Sequence, residues 1–318
     1  MLKKLLALLL ALSFVPIIAL AEPTPKPIPT LSPDQIPSTP QGMQHYLLLC
    51  SDSWSGASMD APRNTDGIML VTLDTVAYRV CLTSFIRDML VMRPDGKYGR
   101  LNGISKRFSI EDMMATLNSH FGLNIEKYIL VDWSSVENII DALGGVDITV
   151  TNGESIRLRD KMAYKSDWTE PVLAGAGTYR FRGYAAVIYM RIRSDISVDG
   201  ERYDYRRTTR ARGVVSSLAN SLRTIPSQDV IPLAQTVFDN IVATNMTLMD
   251  FYSAATTAYE LRNVSEIEQM RIPIDGTGEE FYYLEMATQQ IDVAANREAL
   301  QNFLYESFAV RDTDEGWD

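Results

Sequence analysis

The sequence predicts an α/β fold in which a central sheet is covered by helices on both faces. Three observations carry that expectation. Short apolar or β-branched runs recur between polar turns at Tyr46–Cys50, Gly67–Leu73 and Tyr78–Phe85, the pattern of buried strands. Two later stretches repeat their apolar residues at helical spacing. Further strand-like runs at Tyr128–Val131 and Val146–Val150 alternate with those helices, as in sheets flanked on both sides. With 318 residues, 46% of them hydrophobic, the chain can bury a core for one large domain with an extension.

Each element follows from local chemistry. Ser109 can cap a helix whose apolar stripe is Ile110, Met113, Met114, Leu117 and Phe121. Asp112 completes a capping box and Gly122 ends the helix. Ser134 and Glu137 form a second box ahead of Val136, Ile139, Ile140 and Leu143, and Gly144-Gly145 stops that helix. Residues 152–177 are polar and read as an irregular surface excursion. Gly183–Met190 reads as a helix, and Asp204–Leu222 as a long one with arginines in its first half. From Pro226 the pattern is helix, helix, strand and helix, with a box at Thr247 and Asp250. Residues 44–225 thus form the main domain, 226–310 an extension packed on it, and 311–318 an acidic tail.

The N-terminus speaks to compartment. Lys3 and Lys4 precede an uncharged apolar run, Leu5–Leu20, and Ala19-Leu20-Ala21 has the small-x-small form of a signal-peptidase site. The run is short for a spanning helix and Pro16 interrupts it. A cleaved signal peptide over residues 1–21 is expected, with an uncleaved anchor as the rival; both place the rest of the chain outside the cytoplasmic membrane. Seven of the 14 prolines then fall between Glu22 and Gln41, so residues 22–43 read as an extended, unpacked tether.

The net charge of −10 excludes general binding of nucleic acid or anionic surfaces, which the chain's own field repels. Any anion must be held by a local cluster of arginines. With two histidines, His45 and His120, a His-rich metal site or a Ser-His-Asp triad is not expected. Cys50 and Cys81 sit in strand-like runs without a metal-binding spacing; both are expected to be free, buried thiols.

Four segments could carry chemistry. Asp52 follows the first strand, Asp66 enters the second, and Arg87 follows the third. The fourth segment joins Arg191 and Arg193 to the run Arg206, Arg207, Arg210 and Arg212. Strand ends in open α/β sheets are common ligand sites. Two carboxylates there suit Mg²⁺, which takes oxygen ligands and shares them with phosphate. Guanidinium groups suit a pyrophosphate, because they are always charged and present paired donors. Arg207 and Arg210, three apart, are expected on one helix face. Five arginines between Arg202 and Arg212 in an acidic chain would repel one another unless anions or carboxylates lie among them. Solvated surface charges remain the plain alternative for any one of these segments.

The order of these segments resembles the LytR–CpsA–Psr family. The segments are Cys50-Ser51-Asp52-Ser53-Trp54, Asn64-Thr65-Asp66-Gly67, Ile86-Arg87-Asp88, Arg100-Leu101-Asn102, Arg191-Ile192-Arg193, and Asp204-Tyr205-Arg206-Arg207-Thr208-Thr209-Arg210-Ala211. Val131-Asp132-Trp133 and Asp141-Ala142-Leu143-Gly144-Gly145-Val146 are similar to it as well. The resemblance covers residues 44–222. It implies a three-layer α-β-α fold with a mixed sheet, and transfer of a polyprenyl-pyrophosphate-linked glycopolymer to a peptidoglycan hydroxyl at the outer face of the membrane or in the wall.

Carried over residue by residue, Asp52 and Asp66 would hold Mg²⁺ or position the acceptor hydroxyl. Arg87, Arg191, Arg193, Arg207 and Arg210 would bind the pyrophosphate, with Arg87 also stabilising charge on the transferring phosphoryl group. The sequence departs from the family pattern at Trp54, Asn64, Ile86 and Ala211. A binding or regulatory protein with little turnover, or a polyprenyl-pyrophosphate hydrolase, is the alternative. A prenyl chain needs an apolar tunnel, and the stripes Ile110–Phe121 and Val136–Leu143 are open to either reading, tunnel wall or core.

Overall fold

The computed structural model describes residues 24–53, 63–162, 172–192 and 203–309, the side chains of 203–204 and 306–309 excepted. The export segment, Trp54, Arg193, Arg202 and the acidic tail lie outside the described residues.

Apolar and β-branched runs form the strands β1 (Met43–Ser51), β2 (Thr65–Asp74), β3 (Arg79–Phe85), β4 (Leu90–Met92), β5 (Tyr98–Arg100), β6 (Lys127–Val131), β7 (Val146–Val150), β8 (Gly177–Phe181), β9 (Ala243–Thr244), β10 (Ile267–Ile272), β11 (Gly278–Tyr283) and β12 (Met286–Ile291). The helices are α1 (Ile104–Arg107), α2 (Ile110–Phe121), α3 (Trp133–Ala142), α4 (Asn152–Met162), α5 (Gly183–Met190), α6 (Tyr203–Ser221), α7 (Val230–Asp239), α8 (Leu248–Glu260) and α9 (Val293–Ala309).

The central sheet is mixed and has six strands in the order β10-β3-β2-β1-β6-β9. β2 runs antiparallel to both β1 and β3, whereas β6 is parallel to β1 and β10 parallel to β3. Both outer strands come from the C-terminal segment, so that segment completes the sheet at its two edges. The β11–β12 hairpin was absent from the sequence reading of this region.

One face of the sheet packs Leu47, Leu49, Leu70 and Phe85 against α2 and α9. The stripe Ile110–Phe121 belongs to that core. The other face, with Met69, Leu73 and Leu82, packs against Val215 and Ala219 of α6. Helix caps account for two boundaries. The Ser109 hydroxyl accepts from the Asp112 amide at 2.9 Å, and Thr247 with Asp250 forms a reciprocal box on α8. At α3 the capping residue is Asp132, whose carboxylate accepts from the Ser135 amide at 2.8 Å, not Ser134.

Two further expectations are corrected. Residues 152–162 are helical, not irregular. Their stripe is too sparse to be read from sequence, because only Ser155, Leu158 and Met162 are buried. Residues 24–31 are extended but docked on the domain, and Pro33–Gln35 form a short 3-10 turn. The Lys26 amide donates to Gln290 Oε1 at 2.8 Å, the Leu31 amide to the Ser119 carbonyl at 2.7 Å, and Ile28 contacts the main core. Proline fixed the extended shape, but these docking contacts make this stretch part of the domain wall.

Candidate active site

The sheet topology explains why distant segments meet. Because β2 opposes β1 and β3, the end of β1, the start of β2 and the end of β3 share one sheet edge. Cys50 pairs with Gly67 but Ser51 pairs with Thr65, so Asp66 is an extra residue in the ladder. Such a bulge re-aims its side chain. Gly67 permits it: a Cβ there would lie 2.9 Å from the Cys50 Cβ.

Asp66 is the centre of the cluster. Its side chain is 3% exposed, and its Oδ2 accepts from Arg87 Nη1 at 2.5 Å and Arg207 Nη2 at 3.2 Å. Asn102 Nδ2 reaches Oδ1 at 3.4 Å. One carboxylate between two guanidinium groups leaves one net positive charge, the sign that attracts a phosphate group.

This cluster forms part of the lining of a cavity. The cavity holds about 1300 Å³ of empty space, counting its open end. Its polar groups include Ser84, Asp66, Arg87 and Arg207, while its walls include Leu48, Ile129, Val136, Ile140, Leu218 and Phe251. The sheet supplies one wall, and helices α3, α6, α7 and α8 the other. The two stripes left open by the sequence therefore separate: Val136, Ile139 and Ile140 line the cavity, and the α2 stripe is core.

The remaining predicted residues are placed differently. Asp52 is exposed just beyond β1, and its amide donates to the Asn64 carbonyl at 3.1 Å. Arg191 ends α5 with its guanidinium 5.5 Å from the centre of the Trp133 ring, and Trp133 lines the cavity. Arg210 does not share Arg207's partner. It pairs with Glu154 Oε1 at 2.8 Å and donates to the Ile192 carbonyl at 2.9 Å. Arg212 donates to Ser84 and to Gln269. The arginine run thus fans out to three sides of α6, and two of its members are satisfied by the fold itself.

Asn102 was quoted in a motif without a role, and the structure places it on Asp66. Cys50, expected as a buried thiol, lines the cavity, and so does Trp133, which the sequence offered only as part of the segment Val131-Asp132-Trp133. Burial, together with the carboxylates of Asp132 and Asp66, pushes the Cys50 thiol far up against the opposing influence of Arg207, which disqualifies it as a nucleophile. The two cysteines are free. They lie on β1 and β3, which β2 separates, so they are not on neighbouring strands. His120 is buried and neutral: the Met92 amide donates to its Nε2 at 3.1 Å, and its Nδ1 lies 2.7 Å from the Thr116 carbonyl.

Among the described residues, no group of three His, Cys, Asp or Glu is placed to hold a metal by itself. Mg²⁺ needs less when it shares substrate phosphate oxygens. Asp66 Oδ1, with its long contact from Asn102, is a hard oxygen donor that suits that mode.

The LytR_cpsA_psr family model matches residues 25–300. The chain is 24% identical over 268 residues to regulatory protein MsrR of Staphylococcus aureus, covering 83% of this chain and 75% of that protein. It is 26% identical over 171 residues to biofilm regulatory protein A of Streptococcus mutans, covering 52% of this chain and 40% of that protein. It is 23% identical over 253 residues to the polyisoprenyl-teichoic acid–peptidoglycan teichoic acid transferase TagT of Bacillus subtilis, covering 79% and 73%. TagT with bound octaprenyl pyrophosphate superposes with a TM-score of 0.62 at 16% identity, covering 85% of this chain and 95% of that one.

Proposed function

Because the chain belongs to the LytR–CpsA–Psr family, we propose that it is a phosphotransferase that moves a polyprenyl-pyrophosphate-linked glycopolymer onto a peptidoglycan hydroxyl. One observation carries this reading: a positive cluster, Arg87–Asp66–Arg207, forms part of the lining of a cavity with apolar walls. A pyrophosphate on the cluster with its prenyl chain in the cavity matches both halves. The octaprenyl pyrophosphate held by TagT supports the same reading of the cavity.

Arg87 and Arg207 bind the pyrophosphate and stabilise charge spread over the transferring group. Arg191 extends the phosphate site, and Arg193, outside the described residues, is proposed to bind the pyrophosphate with it. Asp66 aligns the two guanidinium groups, and Asp52 at the strand end positions the acceptor hydroxyl. The hydroxyl oxygen bonds to the sugar-bearing phosphorus, and its proton passes to Asp52 or solvent. The bond from that phosphorus to the bridging oxygen breaks, and polyprenyl monophosphate leaves. Mg²⁺ is the proposed cofactor. Asp66 and Asp52 would hold it, and when bound it neutralises phosphate charge. Arg210 is left to brace α6 against α4.

The apolar run Leu5–Leu20 supports action outside the cytoplasmic membrane. Among the described residues, no helix is long and apolar enough to cross a membrane. A second reading, lipid binding with little turnover, is favoured by Ala211, which stands at the cavity where the family motif carries a glutamine. Incubation with a polyprenyl-pyrophosphate oligosaccharide, Mg²⁺ and peptidoglycan fragments, followed by mass spectrometry, separates the readings. A phosphodiester-linked glycan–peptidoglycan product is expected. Bound but unreacted lipid would support the second reading, and release of polyprenyl monophosphate without product would indicate hydrolysis.

A further inference from the structure

Trp133 carries an unexplained polar group. The residue is 5% exposed, yet its indole N–H is buried without a hydrogen-bond partner among the described residues. Buried polar groups are paired in nearly all proteins, so an orphan donor calls for an explanation. Its position supplies one. Val131 pairs with Cys50 on β1, and Cys50 pairs with Gly67, next to Asp66. Trp133 follows Val131 by two residues, and its amide donates to the Ser53 carbonyl at 2.9 Å. It therefore sits at the same sheet edge as Asp66, two strands away, and lines the same cavity.

A prenyl chain offers no acceptor for a buried N–H. The acceptors of a polyprenyl pyrophosphate are the oxygens at its head, which is where the Asp66 cluster would hold it. Resting on the reading of the cavity given above, we infer that the Trp133 indole N–H donates to an oxygen of the lipid pyrophosphate. Arg191, 5.5 Å from the ring centre, approaches the same indole with positive charge. Trp133 is thus a substrate-binding residue that registers the head group against the apolar wall.

The test compares Trp133→Phe with the wild-type protein, using two probes: polyprenyl pyrophosphate and the corresponding polyprenol. The phenyl ring retains apolar area and removes the donor. The variant is expected to bind the pyrophosphate lipid about tenfold or more weakly, as loss of a hydrogen bond to a charged group does. Its affinity for the polyprenol should be unchanged, and the thermal midpoint of the free protein unchanged or raised, because the orphan donor is gone. Equal loss for both probes would reduce Trp133 to a packing residue and overturn the inference. So would unchanged pyrophosphate binding. In an ¹⁵N-indole spectrum the resonance lost in Trp133→Phe should shift further with pyrophosphate lipid than with polyprenol; equal shifts, or none with either, overturn it too. Arg87→Ala in the same assay keeps the two ideas apart. If Arg87→Ala binds normally, the reading of the cluster fails. If Arg87→Ala is impaired and Trp133→Phe is not, only this inference fails.

Discussion

Arg207 and Arg210, three residues apart on α6, reach two different carboxylates: Arg207 meets Asp66 at 3.2 Å and Arg210 meets Glu154 at 2.8 Å. The first pair lines the cavity, and the second ties α6 to α4. Their substitutions should therefore separate. Arg210→Ala leaves Glu154, 15% exposed, without its cation, and should cost about 3 kcal/mol of stability. Arg207→Ala should cost less stability and weaken pyrophosphate-lipid binding at least tenfold. Thermal midpoints and binding isotherms of both variants check this; matched effects on both readouts would contradict it.

Asp66 neutralises one of two adjoining guanidinium groups. In Asp66→Ala the two cations are left facing each other, so the free protein should melt at a lower temperature. Added inorganic pyrophosphate should recover more of the loss than it adds to the wild-type protein, because it replaces the missing negative charge. A variant whose midpoint ignores pyrophosphate would show that the site does not hold phosphate.

His45 and His120 give the acid side of stability. Burial pushes both down to about 4. Unfolded, each titrates near the ordinary 6.5. Between those values the unfolded chain binds more protons than the native one, so stability is full above about pH 6.5 and falls as pH drops toward 4. The slope is at most about 1.4 kcal/mol per pH unit for each histidine. Melting curves from pH 7.5 to 4 should show the decline beginning near pH 6.5; a flat midpoint down to pH 5 would contradict it.

Both thiols are free, and burial raises Cys81 to about 12 and Cys50 beyond it. Intact mass should be unchanged by reductant. Alkylation of the folded protein should be slow and should become fast in denaturant. Cys50 lines the cavity, so polyprenyl pyrophosphate should slow its alkylation further, while Cys81 is unaffected. A gain of two hydrogens on reduction would refute the free thiols.

Four strands of the central sheet, β1, β2, β3 and β6, were legible because they are written in apolar or β-branched residues; β7, read in the same way, pairs with β8 outside that sheet. The β11–β12 hairpin was not legible. Its turn is Leu284-Glu285, with φ of 46° and 63°, where an Asn-Gly or Asp-Gly signal would have announced it. α4 was missed for its polarity, and that miss carried a second one with it. Glu154, the partner that draws Arg210 away from the cavity, lies on α4. Helical spacing put the heads of Arg207 and Arg210 on one helix face, but they reach Asp66 and Glu154 respectively, because long side chains diverge toward partners that spacing does not reveal.

That Asp66, Arg87 and Arg207 meet was legible because strand ends and a helix start place them together. The bulge that turns Asp66 toward the arginines was not, since it is a property of register between β1 and β2. Trp133 gave no signal of its own beyond the segment Val131-Asp132-Trp133, because an N–H left without a partner among the described residues is a property of packing.

We propose that the Arg87–Asp66–Arg207 cluster holds the pyrophosphate of a lipid whose chain fills the cavity. This proposal is tested most directly by measuring polyprenyl pyrophosphate binding to the Arg87→Ala, Arg207→Ala double variant against the wild-type protein. Loss of two charge-assisted contacts predicts an affinity lower by roughly 10²-fold or more, with polyprenol binding retained. Unchanged pyrophosphate-lipid affinity in a folded double variant would contradict it.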